Sequence, residues 1–166
     1  MEEQYNIEKV VERLIHEYGN DVLRLAFMYL KDKYLAEDAF QEVFIKVYHN
    51  WQQFRNEASE KTWLIRITIN VCKDMMKSNW FKKVSFYDFE DIYTIDKKIN
   101  QVDEEINNKL LFEQVLELPE KYKEVILLYY YQGFSVKEIA RILEITTGTV
   151  GSLMSRARKL LKKNLR

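Results

Sequence analysis

The sequence predicts an all-α protein: two small helical domains joined by a flexible linker, the second ending in a helix-turn-helix. Three observations carry this. Only four glycines and one proline interrupt 166 residues, and 47% of the residues are apolar, enough to fill compact cores. Apolar positions recur at spacings of three and four in most of the chain, the period of a helix with one buried face. Charge is segregated although the formal net charge is zero: residues 1–60 carry 12 acids against 7 bases, 61–85 carry 1 against 6, 86–106 carry 7 against 2, and 135–166 carry 2 against 8.

In the first domain, Val22, Leu25, Ala26 and Tyr29 predict one helix. Ala36, Ala39, Phe40, Val43, Phe44 and Val47 predict a second, with Asp32 as its N-cap. A polar break follows from His49 to Lys61. Trp63, Leu64, Ile67, Val71 and Met75 then predict a long helix from about Glu60 to about Lys77, capped by Ser59. Ser78 to Glu105 sustains no period and changes charge sign midway, as a connection between domains does. The expected boundaries are 1–80 for the first domain, 81–105 for the acidic linker and 106–166 for the second domain.

The second domain restarts near Ile106 and ends in GFSVKEIARILEITTGTVGSLMSRARKLLKK. Ser135 and Glu138 have capping-box spacing, and Val136, Ile139, Ala140 and Leu143 are the expected apolar face of a short helix. Glu144 to Thr146 make a tight connection. A second helix starts at Thr147 and buries Val150, Leu153 or Met154, Ala157, Leu160 and Leu161. Its other face offers Thr147, Thr149, Ser152, Ser155 and Arg156, then Lys159, Lys162 and Lys163, and no acid follows Glu144. Hydroxyls and a guanidinium suit base edges and phosphates, and lysines suit the nucleic-acid backbone. The expected ligand is duplex DNA.

One cysteine, Cys72, leaves neither a disulfide partner nor a zinc-ligand pair. No apolar run reaches the 18 residues of a membrane span, and the acidic N-terminus MEEQYNIEK is unlike a signal peptide. A cytoplasmic protein is expected. Catalysis finds little support, with no phosphate-binding loop and no dinucleotide fingerprint. Asp38 and Glu42 share a helix face, as metal-binding carboxylates of a nuclease would, but His16 and His49 stand apart from them. Neither an enzymatic role nor a cofactor, metal or small-molecule substrate is expected.

Two stretches together resemble the extracytoplasmic-function (ECF) group of the bacterial sigma-70 family: AEDAFQEVF with WLIRITINVCKD, within residues 36–74, and EIARILEITTGTVGSLMSRAR, residues 138–158. The resemblance implies an initiation factor that binds core RNA polymerase, reads the −35 promoter element with its C-terminal domain and melts the −10 element with its N-terminal domain. Ala36, Glu37, Asp38, Gln41, Glu42 and Phe44 match the helix that in the family docks on the polymerase's clamp coiled coil. With the apolar face turned inward, Asp38, Gln41, Ile45 and Tyr48 are expected together on the outside.

Trp63, Leu64, Arg66, Ile67, Asn70 and Asp74 match the family's −10 helix. Lys61, Arg66, Lys73 and Lys77 add charge there, and Trp51 and Phe54 offer aromatic faces to an unpaired base. Trp63 and Ile67 read better as core, and Trp51 equally as a packing lid. The chain departs from the family's pattern at Gly151 and Leu153, where basic residues are common, and at Lys77, where Arg is usual. The acidic segment with Phe86, Tyr87, Asp88, Phe89, Glu90 and Asp91 matches no motif; the resemblance implies a stretch that runs toward the RNA exit path, where acidic residues would imitate the charge of RNA, and a solvated acidic linker is the equal alternative. The family further implies a silencing anti-sigma protein, often membrane-bound, covering Asp38, Gln41 and the C-terminal helix. The rival from another class is a free-standing repressor that binds duplex DNA as a dimer without polymerase.

Overall fold

The computed structural model describes residues 1–78 and 107–165. All regular structure among them is helical. The chain divides into two units, Met1–Ile99 and Asn100–Arg166. Their boundary falls within the segment read as a linker, and that segment, with Phe86 to Asp91, lies outside the described residues.

Unit 1 is built around α1, Glu2–Leu30, far longer than the stretch legible from Val22, Leu25, Ala26 and Tyr29. Its first turn carries Glu2 and Glu3, which complement the positive end of the helix dipole. Toward its C-terminus every residue from Arg24 to Leu30 is buried. A helix end without a solvent face must be enclosed by its neighbours, and α2 (Lys33–Asn50) and α3 (Glu60–Lys77) both pack on α1 and on each other. α2 approaches α1 closely at Gly19, where a Cβ would stand in ordinary contact with the Phe40 ring at 3.5 Å.

The turn between α1 and α2 is two residues long. Lys31 takes a left-handed conformation at φ 54° and donates its N–H to the Phe27 carbonyl at 2.8 Å. Asp32 accepts the Leu35 N–H at 2.8 Å and starts α2 as expected. Leu35, Ala36, Ala39, Val43, Phe44 and Val47 are its buried residues. A single 3₁₀ turn, Trp51–Gln53, follows directly. Ser59 caps α3 by accepting the Thr62 N–H at 3.1 Å. Thr68, fully buried, donates its hydroxyl to the Leu64 carbonyl at 2.9 Å, and Cys72 is buried beside it on the same helix face.

In unit 2, α4 (Asn107–Leu116) buries Phe112, Val115 and Leu116. Pro119, the one proline, stands at the N-cap of α5 (Glu120–Ile126), where its missing N–H costs nothing. The helix continues as a π-helical turn, Leu127–Tyr131, with the Gln132 N–H reaching back five residues to the Leu127 carbonyl at 3.0 Å. Nothing in the apolar spacing anticipated this wider turn. Gly133 ends it at φ 74°.

The expected capping box starts α6 (Val136–Leu143): the Glu138 N–H donates to Ser135 Oγ at 3.2 Å, and the Ser135 N–H to Glu138 Oε2 at 2.8 Å. The buried face is rotated from the expected one. Ile139, Ala140 and Ile142 are enclosed, whereas Val136 and Leu143 stay partly exposed, because Ile142 faces the unit's interior at the end of the helix. Glu144 turns the chain at φ 57°, and Thr146 caps α7 (Thr147–Asn164) by accepting the Thr149 N–H at 3.2 Å. Val150, Met154, Ala157 and Leu161 form the buried seam of α7.

The entry to α3 is held by a charged clamp. Arg13 of α1 donates to both carboxylate oxygens of Glu60 at 2.9 Å and to Glu17 at 3.0 Å. The hydrogen bonds from Arg13 hold Glu60 below its ordinary pKa despite partial burial. A depressed folded-state pKa means stability that is complete above the unfolded pKa and is lost as pH falls through the folded one. Glu60→Gln should therefore lower the melting temperature by a few degrees at pH 7, as for a partly exposed pair of about 0.5–1 kcal/mol. The difference from wild type should close below about pH 4 in calorimetry.

Candidate nucleic-acid interface

Three surfaces carry the residues singled out in the sequence. On α7, the arc opposite the buried seam is centred on Gly148, Ser152, Ser155, Lys159 and Lys163, with Thr149 and Arg156 on one flank and Gly151 and Lys162 on the other. All nine are exposed. Thr147 lies farther toward the side of the helix, and the Thr149 hydroxyl is engaged at 2.8 Å with that of Thr146 in the cap. Ser152, Ser155, Arg156 and Lys159 are thus the candidate contacts that project from the centre of the arc or beside it.

Arg158, a residue the periodicity did not single out, is tied back into unit 2. Its Nε donates to the Tyr130 hydroxyl at 3.0 Å, and its guanidinium lies 5.8 Å from the centre of that ring. Tyr130 is in turn packed edge-on by Tyr129 at 4.9 Å. The π-helical turn carries both tyrosines, so it clamps the middle of α7 from the side. The run YYY in the sequence was the available signal, but the period of an ordinary helix does not place it.

On α3, Arg66, Asn70, Lys73 and Lys77 follow one another at spacings of four, three and four, which makes one line along the solvent side. Asp74 stands beside that line and lines a groove of about 680 Å³ between α2 and α3, together with Leu35, Asp38, Glu42, Lys46, Val71, Met75 and Ser78. Lys61 is elsewhere, about 140° around the helix from Arg66, and its Nζ is 3.7 Å from Asp21 of α1.

At the N-terminal end of α3 the expected aromatic faces are assembled into a cluster. Trp51 and Phe54 stack at 5.2 Å with 27° between planes, and both pack on Trp63, at 5.9 and 5.2 Å. All three are half-buried. Trp63 is no more enclosed than the two loop aromatics, and Ile67 is likewise only half-buried, so neither belongs to the core, contrary to expectation; α3 buries Leu64, Ile65, Thr68, Ile69, Val71 and Cys72 instead.

On α2, Asp38, Gln41, Glu42 and Ile45 are exposed and Tyr48 half-exposed, on the side opposite the buried residues. Glu42 is 3.9 Å from Lys46 across one helical turn. Among the described residues no three His, Cys, Asp or Glu side chains are placed to share a metal ion, and no helix is long and apolar enough to cross a membrane.

Comparison with known proteins accounts for both units. Residues 14–82 match Sigma-70 region 2 and residues 109–161 match Sigma-70, region 4. The ECF RNA polymerase sigma factor SigW of Bacillus subtilis strain 168 is 32% identical over 163 residues, covering 90% of this chain and 85% of the relative. The chain belongs to the sigma-70 family, in its ECF group. The ECF RNA polymerase sigma-E factor of Haemophilus influenzae is 29% identical over 176 residues, with 98% of this chain and 90% of the relative covered. The fold of this sigma factor is that of the sigma factor RpoE in a co-crystal with the anti-sigma factor NepR from Bartonella quintana. The TM-score is 0.69 at 21% identity, over 95% of this chain and 97% of the other.

Within α7 of this sigma factor, Gly151 is not required by packing, since a Cβ built there meets nothing within 4 Å. Gly133 also has open space, but its φ of 74° suits glycine. Gly151→Ala should stabilise unit 2 by about 0.5–1 kcal/mol. Gly133→Ala should destabilise it by about 1 kcal/mol. Thermal denaturation of the two variants should shift in opposite directions.

Proposed function

We propose that this ECF sigma factor uses its three surfaces for three successive tasks of promoter-specific initiation. The outer face of α2, with Asp38, Gln41, Glu42, Ile45 and Tyr48, docks on the clamp coiled coil of core RNA polymerase. The line of Arg66, Asn70, Lys73 and Lys77 on α3 follows the backbone of the melted −10 element, and the Trp51–Phe54 pair supplies faces on which an unpaired base stacks. The centre of α7 enters the major groove at the −35 element.

The single observation that carries this reading is the occurrence, in one chain, of a basic helix-turn-helix and a separate unit that sets an acidic helix face beside a cationic line. A cationic line beside a stacking platform suits single-stranded DNA, and the recognition helix suits duplex DNA. In functional terms the chain divides into a region 2-like domain, 1–80, a linker, 81–105, and a region 4-like domain, 106–166. The protein acts in the cytoplasm as a binding subunit without catalysis of its own. An anti-sigma factor covers the α2 face and α7 at rest. The likeness to an RpoE chain crystallised with its anti-sigma factor supports this partner.

The test is transcription in vitro, with core RNA polymerase and a pool of promoter fragments. Specific start sites should appear only when core and this protein are both present. Tight duplex binding by the protein alone, with no core-dependent initiation, would favour the repressor instead.

The interface also has a salt signature. Lys159→Ala should weaken binding of the full chain to its −35 duplex and reduce the slope of log affinity against log salt by about one. Gly151→Lys, which fills open space on the flank of the same arc, should raise that slope by about one. Equilibrium binding at several salt concentrations measures both.

A further inference from the structure

The outer face of α2 continues beyond the residues assigned to polymerase docking. Tyr34, Asp38, Gln41, Ile45 and Tyr48 are separated by four, three, four and three residues. At 100° per residue all five fall within about 40° of one line, opposite the buried seam of Ala36, Ala39, Val43 and Val47. Alternation of three and four is the spacing that keeps a helix face in register with a partner helix of a coiled coil. The line starts at Tyr34, one turn before Asp38.

Tyr34 is 75% exposed, and its phenol has no hydrogen-bond partner among the described residues. Met1, Ile15, Tyr34 and Ile45 are the large apolar side chains that the described part of unit 1 exposes. Two of those four share this one line, three turns apart. Single exposed apolar residues need no explanation, but a shared phase at opposite ends of a polar centre is the pattern of anchors flanking a docking surface.

The backbone beneath Tyr34 is already fixed. Asp32 caps the first turn of α2 through Leu35, and Leu35 and Ala36 are buried against the rest of unit 1. An aromatic anchor on a preformed turn loses little conformational freedom on binding, which is why such residues dominate interface energetics.

We infer that Tyr34 is a further docking residue, extending the seam one turn toward the N-terminus of α2. Its partner is the same helix of the polymerase clamp coiled coil that meets Asp38, Gln41, Ile45 and Tyr48. This inference rests on the docking role proposed for α2. The charge of the face selects the occupant. Asp38 lies on the line, Glu37 and Glu42 border it, Lys46 is drawn toward Glu42 and Lys33 stands beside Tyr34, so over its centre the face is acidic and the matching helix carries Arg or Lys beside its apolar positions. Tyr34 fills the hole formed by apolar stems and basic side chains of that helix, where an aromatic ring packs against both.

The test is the affinity of the full chain for core RNA polymerase, measured for wild type, Tyr34→Ala, Tyr34→Phe and Ile45→Ala, each with a thermal melt. Tyr34→Ala should bind core about tenfold more weakly with an unchanged melt, and Tyr34→Phe should stay within about twofold of wild type. A photo-crosslinking p-benzoylphenylalanine at position 34 should label the clamp coiled coil. Wild-type affinity in Tyr34→Ala with a loss in Ile45→Ala would end the seam at Asp38 and overturn the inference, leaving the docking role intact. Wild-type affinity in both variants would remove the docking role and the inference together. Unchanged core affinity with lost anti-sigma binding in Tyr34→Ala would assign the residue to the other partner and likewise overturn it.

Discussion

The enclosed C-terminal half of α1 is the constraint on which unit 1 depends. Leu25 to Leu30 are buried on every side of the helix, with Arg24 before them. No single neighbour can cover a helix all round, so both α2 and α3 are needed against it, and each spends one face on that task. The face each helix has left is then determined by its own period. For α2 it is the line from Tyr34 to Tyr48, and for α3 the line from Arg66 to Lys77. A buried hub therefore fixes the direction of two candidate surfaces that hold none of its residues.

The hub also needs defined helix entries, because a helix that slid or rotated would carry its outer line with it. Asp32, Ser59 and Thr146 each accept a hydrogen bond from the first turn of the helix that follows, and Ser135 and Glu138 do so reciprocally. Four of the helices that bear or support the candidate surfaces thus begin at a side-chain cap. The clamp of Arg13 on Glu60 adds a link between α1 and the start of α3. In unit 2 the corresponding lateral restraint is the contact of Arg158 with Tyr130.

Capped starts and one-sided periods are local signals, and they were legible in the sequence: Asp32, Ser59 and Ser135 as caps, Glu60 to Lys77 as a helix, and most of the buried seams of α2 and α7, although Phe40 and Leu160, expected in them, stay half-buried. What escaped was decided by contacts distant in sequence. The first half of α1 does carry a local period, in Ile7, Val11, Leu14 and Tyr18, but of these only Leu14 is fully buried, and the clamp to α3 adds the second hold on it. The face of α6 turned because Ile142 fills unit 2 from the helix end. Lys61 belongs by sequence to a cationic helix, yet its spacing of five from Arg66 puts it about 140° from the cationic line, where Asp21 of α1 meets it. The π-helical turn depends on a hydrogen bond one residue longer than the pattern being sought, so periodicity could not find it.

On the proposed function, the composition of α7 bears on why one chain joins two DNA-reading surfaces. The cations Arg156, Lys159, Lys162 and Lys163 are confined to its later turns, and the N-terminal half of its outer arc holds Gly148, Ser152 and Ser155 with Gly151 on the flank. These small groups let the helix approach a groove closely but contribute few charge contacts, and phosphate contacts supply most of the affinity for DNA. On the proposed function, such a helix binds weakly by itself. Joining it to a second DNA-binding unit and to polymerase replaces independent binding events with linked ones at high effective concentration. Affinity then resides in the assembly, and a −35 element presented without core polymerase is held only briefly. A modest recognition helix is compatible with tight promoter binding for that reason, and it limits the time the free subunit spends on duplex DNA that no polymerase accompanies.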